Sequence, residues 1–264
     1  MINNNVDKNN SYFDKYGRCI PTSLVAAVHN DSRRYFSIVQ PQVDYHEIYH
    51  RLNNSFNFSD QLSVGDFQQR AEAILHQICD EDKHKKLTAG VGVPFILPQA
   101  EYNDIGEAFQ DIYLNAVEKS FQQMFPAHSF DNYYKDSLVG KLSITSGVHQ
   151  EYLMQAMKKG VVVGYYFPCL LEYSVPAAIE RMESLPDNFI LAGGFDTAAA
   201  FIGSPNLLTR ADGYPPLLWL SGFSCEDAGA GFHFEAYGYD LTFNRRMHLG
   251  KVAEYWASGL ILLG

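Results

Sequence analysis

The feature that most constrains this fold is a change of period along the chain. Up to about residue 140 the apolar residues recur at helical spacing, and beyond about residue 160 they gather into short runs rich in β-branched and aromatic side chains. Helices first and strands later indicate an α+β fold, in which a mainly antiparallel sheet carries helices packed to one side. Ser63-Val64-Gly65-Asp66 is a capping signal. Phe67, Ala71, Ile74, Leu75 and Ile78 follow it at helical period, and Cys79 continues that run. A second helix is predicted from Asp104 to Met124, ended by Pro126, with Val91–Leu97 between the two as a short strand or extended connection.

The second half reads as alternating elements. A helix is expected over 147–159, with Gly160 as a left-handed cap, and a buried strand from Val161 to Phe167. Ser174 and Pro176 start a helix that runs to Ser184. Phe189–Ala192 and Leu217–Leu220 are strand candidates, and Phe232–Tyr239 and Leu241–Arg246 read as a hairpin turning at Tyr239-Asp240. Leu249–Ala257 is predicted as a helix and Leu260–Leu263 as a final strand. The 264 residues fit a single domain, 1–264, with residues 40–140 as a helical insertion or lid and 1–11 as a flexible arm.

Cys19 is the candidate centre of chemistry. It precedes Ile20-Pro21-Thr22-Ser23-Leu24, where a helix from Pro21 to Asn30 is expected, proline being tolerated in a first turn. A thiol at a helix start meets unsatisfied N–H groups and the positive end of the helix dipole, which favour the reactive thiolate. A cysteine nucleophile also needs a base and a group to orient that base. In Gly231–Asp240, period-two counting puts His233, Glu235 and Tyr237 on one face of a strand and Phe232, Phe234 and Ala236 on the other. If the chain then doubles back, Asn244 comes near the level of His233 and could orient its imidazole. Asp240, at the turn, is the other candidate.

Cys19-Ile20-Pro21-Thr22-Ser23-Leu24 resembles the nucleophile signature of bacteriocin leader peptidases and their relatives in the papain-like cysteine peptidase group. Gly231–Asp240 is similar to that family's histidine strand. Met154–Phe167 resembles the helix and strand before it, and Leu249–Leu263 the closing elements. The resemblance implies a papain-like fold, Cys19 as nucleophile, His233 as general base, and an oxyanion hole made partly by the Cys19 N–H. The chain departs from the family's pattern at three places. Ile20 stands where the family has glycine, Phe13 and Asp14 stand where an upstream glutamine is expected, and Asn244-Arg245-Arg246 replaces the family's Asp-Pro.

Two functions follow as expectations. The first is a thiol-dependent acyl-transfer enzyme, a cysteine peptidase or amidase-like hydrolase, acting on a peptide, a protein or a small amide or acyl donor without a cofactor. The second is a catalytically impaired papain-like protein that acts as a binding or interaction module. A net charge of −10 argues against nucleic acid as a partner, and no long apolar run suggests a membrane span. The polar Asn-rich start is no secretory signal, so a cytoplasmic setting, or export without a classical signal, is expected. Cys79, Cys169 and Cys225 read as reduced, buried small hydrophobes. His46 and His50 flank Glu47 at helical spacing, but the full metal-binding pattern is absent and a solvated face is expected. Gly193-Gly194-Phe195-Asp196 lacks the lysine of a phosphate loop.

Overall fold

Runs with helical period become helices where a polar residue stops the chain and closes the first turn. In the computed structural model, which describes residues 11–29, 31–210 and 212–264, Asp44 caps α1 (Tyr45–Phe56) and Ser63 caps α2 (Val64–Asp80), each accepting the N–H three residues on. A short 3₁₀ turn (Lys85–Ala89) leads into β1 (Val93–Leu97). The predicted 104–124 helix forms in three pieces. These are α3 (Ile105–Ala108), a π-helical turn (Phe109–Leu114) and α4 (Asn115–Met124), all started by the Asp104 cap.

β2 (Phe130–Asn132) and β3 (Leu142–Ile144) follow, then α5 (Gln150–Lys159) and β4 (Val162–Leu171). Gly160 ends α5 with φ 170°, an extended conformation in place of the left-handed one expected. Ser174 caps α6 (Val175–Met182). The chain continues through β5 (Ile190–Leu191), α7 (Gly194–Gly203), β6 (Leu217–Trp219), β7 (Phe223–Cys225), β8 (Ala230–Tyr237), β9 (Asp240–Met247) and β10 (Trp256–Leu263).

The sheet runs β1-β4-β10-β6-β8-β9-β2, with β5 also paired to β10, and β3 and β7 make a small separate pair. Among the described strand pairs only β10–β6 and β2–β9 are parallel, so the sheet is mainly antiparallel, within the α+β class expected from the sequence. On one face, α7 lies against β1 and β4 under α1 and α4. Every residue of α7 is buried. On the other face, Val175 and Ile179 of α6 cover Leu217, Trp219 and Trp256, so helices lie on both faces rather than on the one side expected.

Two expected helices are corrected. From Pro21 to His29 there is no helix, and Asn30 lies outside the described residues. Ser23 takes a left-handed φ of 58°. The N–H groups of Val25 and Ala26 go to the Glu180 carboxylate at 2.7 and 2.8 Å, and Val28 bridges to Tyr173. These partners replace the helical bonds, and Val25 is left 96% exposed. Residues 249–255 form turns rather than a helix, because Trp256 is already drawn into parallel pairing with Leu217. Residues 40–140, expected as a helical insertion or lid, supply both edge strands of the central sheet, β1 and β2. Residues 1–10 of the expected arm lie outside the described residues, and Ser11 is tied by its hydroxyl to the carbonyls of Phe13 and Lys83.

Candidate functional site

Cys19 enters the structure as a sheet-edge residue. It bridges Phe13, its N–H donates to the Cys169 carbonyl at 2.8 Å, and its own carbonyl accepts from the Tyr173 hydroxyl at 3.1 Å. With its N–H committed to β4, Cys19 has no free amide to offer an oxyanion. The sulfur is 0% exposed and accepts from Arg181 Nε at 3.4 Å. Arg181, 3% exposed, reaches it from α6, donates through Nη1 to Ser184 Oγ and lies over the Tyr12 ring. Burial pushes the Cys19 thiol up, and the neighbouring guanidinium pulls it back only in part. A thiol with a raised pKa and no open approach is a poor nucleophile. Asp14 does not face the sulfur as a repelling charge. Its carboxylate accepts the N–H groups of Tyr16 and Arg18 and fixes the turn.

His233 and Asn244 stand directly opposite each other across β8 and β9, as the hairpin argument expected, and the turn at Gly238 has φ 61°. The alternation also holds. Phe232 and Phe234 pack on Phe243 in the core, while His233 lies against Trp219 on the other face. Yet Asn244 turns its side-chain oxygen to the N–H of Arg245, and neither ring nitrogen of His233 has a hydrogen-bond partner among the described residues. The nearest acid is Glu235, whose Oε2 is 3.5 Å from His233 Nε2. His233 is 0% exposed, and burial lowers its pKa, opposed by Glu235. Asp240 pairs with Tyr237 beside the turn, accepts the Ser129 N–H and sits 3.5 Å from His128. It lies four residues along the ladder from the level of His233, roughly 14 Å at ~3.4 Å per residue.

Cys19 and His233 are not brought together. Cys19 is bonded to the outer edge of β4, and β10 and β6 separate β4 from β8. At about 4.8 Å per strand the two backbones are on the order of 15–20 Å apart. Trp219 and Trp256, in edge-to-face contact on the α6 side of the sheet, belong to the intervening strands. The Cys-His-Asn/Asp triad expected from the sequence is therefore not assembled. Of the other cysteines, Cys169 is buried as expected, Cys225 is half-buried and Cys79 is exposed, because the apolar face of α2 ends at Ile78. His46 and His50 project from the exposed side of α1. Among the described residues no group of three or more His, Cys, Asp or Glu side chains is placed to hold a metal ion, and no helix is long and apolar enough to cross a membrane.

Beyond His233 the same hairpin opens into a cleft of about 600 Å³. Phe36, Tyr214 and Tyr255 form one aromatic wall, with Phe36 5.6 Å from Tyr255 and 6.4 Å from Tyr214. Tyr237 and Tyr239 at the hairpin tip line the cleft as well. Tyr237 is 73% exposed and Tyr214 59%. Arg246 enters with Nη1 donating to the Tyr255 hydroxyl at 2.6 Å and Nη2 3.6 Å from Glu235. Arg210 is anchored through Nη1 to the carbonyl and hydroxyl of Ser37, and its buried Nε has no partner among the described residues. These residues come from four separate stretches of chain, so no local motif marks them. The one signal in the sequence is the placement of Tyr237 and Tyr239 at an exposed turn. Comparison with protein-family models, curated proteins and solved structures finds no match for this chain.

Proposed function

We propose that this protein is a ligand-binding protein on an α+β scaffold, and that the cleft beside the β8–β9 hairpin is where it binds. The observation that carries this reading is the contrast between the two candidate centres. The Cys19 sulfur and the His233 ring are each 0% exposed, whereas the cleft presents tyrosines and two arginines to solvent. Exposed tyrosine and arginine are the side chains that most often dominate binding surfaces, and a cleft of this size is in the range of small-molecule sites, about 300–1,000 Å³. The four cysteines are free, which suits a reducing, cytoplasmic setting.

The thiol acyl-transfer reading on a papain-like scaffold draws support from the register of His233 and Asn244. It requires a sulfur that a carbonyl carbon can reach. Iodoacetamide labelling of the native protein, read by peptide mass spectrometry, separates the two readings. The binding reading expects Cys79 to be alkylated and Cys19 to react only after unfolding. Alkylation of Cys19 ahead of Cys79 in the folded protein would overturn it in favour of the enzyme.

A further inference from the structure

The arrangement of charge inside the cleft narrows the ligand to one chemical class. Arg210 and Arg246 bring two positive charges and Glu235 one negative, so the lining is net positive on a chain of net charge −10. Neither arginine is loose. Ser37 holds Arg210 through both its carbonyl and its hydroxyl, and Tyr255 and Glu235 hold Arg246 from two sides. A guanidinium has five N–H donors in a fixed fork. The contacts named use Nη1 of Arg210 and the two terminal nitrogens of Arg246, which leaves donors on both side chains.

Pre-positioned guanidinium groups with spare donors fit a carboxylate or a phosphate, which they bind with charge-assisted hydrogen bonds. The rest of the lining fits a flat ring. Tyr214 is already stacked on Tyr35 at 5.8 Å, which extends the aromatic wall, and Tyr237 at the hairpin tip is 73% exposed; offset stacking on an exposed ring favours a planar partner. Glu235 supplies an acceptor for a hydroxyl or amine at the ligand's edge.

We infer that the cleft takes a small planar molecule carrying one anionic group, an aromatic carboxylate or a nucleoside monophosphate. This rests on the binding reading above and adds the ligand class to it. Glu235 then serves as a positioning residue. It holds Arg246 in place and disfavours ligands with more than one anionic group, the second of which would crowd its carboxylate.

Isothermal titration of the full chain with adenosine monophosphate, 4-hydroxybenzoate, adenosine and maltose tests the inference. At least one of the two anions is expected to bind with a dissociation constant below millimolar, with adenosine and maltose at least tenfold weaker. Arg246→Met should weaken the anion at least tenfold and Tyr237→Ala several-fold, while Tyr152→Ala, an exposed tyrosine on α5 outside the cleft, should leave it unchanged. Tyr237 is at an exposed tip, so its variant keeps the test available if Arg246→Met fails to fold. Neutral adenosine or maltose binding as tightly as the anions, without dependence on Arg246, would overturn the ligand class and leave the cleft as a binding site. Absence of binding by every probe at millimolar concentration would overturn the inference outright. Failure of the binding reading itself is seen separately, in rapid alkylation of native Cys19.

Discussion

Replacing Asp196 by asparagine should change how the stability of this protein depends on pH. Asp196 lies in the first turn of the fully buried α7 and is itself 0% exposed. Burial pushes its carboxyl from an ordinary 3.8 up to about 6. Three donors pull the other way: the Gly193 N–H at 3.1 Å, the Gln150 amide at 2.7 Å and the Thr197 N–H at 2.7 Å. The remaining shift of about two pK units is worth on the order of 3 kcal/mol, at about 1.4 kcal/mol per unit. Between roughly pH 4 and 6 the folded chain keeps a proton here that the unfolded chain has released. The native state then binds more protons, so this group makes stability fall as pH rises through that window and level off above it.

Asparagine cannot ionise, so the variant lacks this slope. It also turns an NH₂ group toward N–H donors, a cost that does not vary with pH. Urea unfolding of both proteins at pH 4, 5, 6 and 7 isolates the term, because the other carboxylates titrate alike in both and cancel in the difference. The stability of the variant minus that of the parent should rise by about 2–3 kcal/mol from pH 4 to pH 7. A difference that stays flat would refute the reasoning and mean that the three hydrogen bonds fully offset burial.

Glu180→Ala should free the Val25 and Ala26 amides that its carboxylate clamps, seen as faster hydrogen exchange at those two positions. Those same N–H groups hold the Glu180 carboxyl below its ordinary 4.5. The clamp is therefore complete above that value and is lost as pH falls through the lower folded one; unchanged exchange in the variant would mean that the clamp does not form. His233→Leu removes a buried ring whose folded pKa lies below 6.5. The unfolded chain gains the proton first, so the parent loses stability as pH falls below about 6.5. The variant's melting temperature relative to the parent should rise between pH 8 and pH 5, and no relative change would argue that His233 titrates normally.

Capped helices and alternating strands were legible in the sequence because their signals are local. Ser63 and Ser174 sit where helices α2 and α6 begin, and both accept the N–H three residues on. The period-two pattern of β8 put His233 and Phe234 on the correct faces, and the hairpin set Asn244 opposite His233. Helix α7 was missed because a helix buried on every side has no polar stripe and so no period to read. The 21–29 segment was misread because its N–H partners lie about 150 residues away, on Glu180. The site failed for a topological reason. Two plausible stretches do not imply adjacency, and the sheet inserts β10 and β6 between the strands that hold them. The arginine and tyrosine cleft could not be seen because its parts meet only in three dimensions.

The position of β10 carries a consequence for how this molecule is made. Residues 256–263 occupy the middle of the sheet, between β4 and β6, yet they follow every other described strand along the chain. Until they leave the ribosome, β4 has no neighbour on that flank and the β8–β9 hairpin has no link to β4. Assembly must therefore wait for long-range pairing, a slow step in which unpaired strand edges invite aggregation. Loss of residues 256–263 would split the sheet at its centre rather than trim its margin.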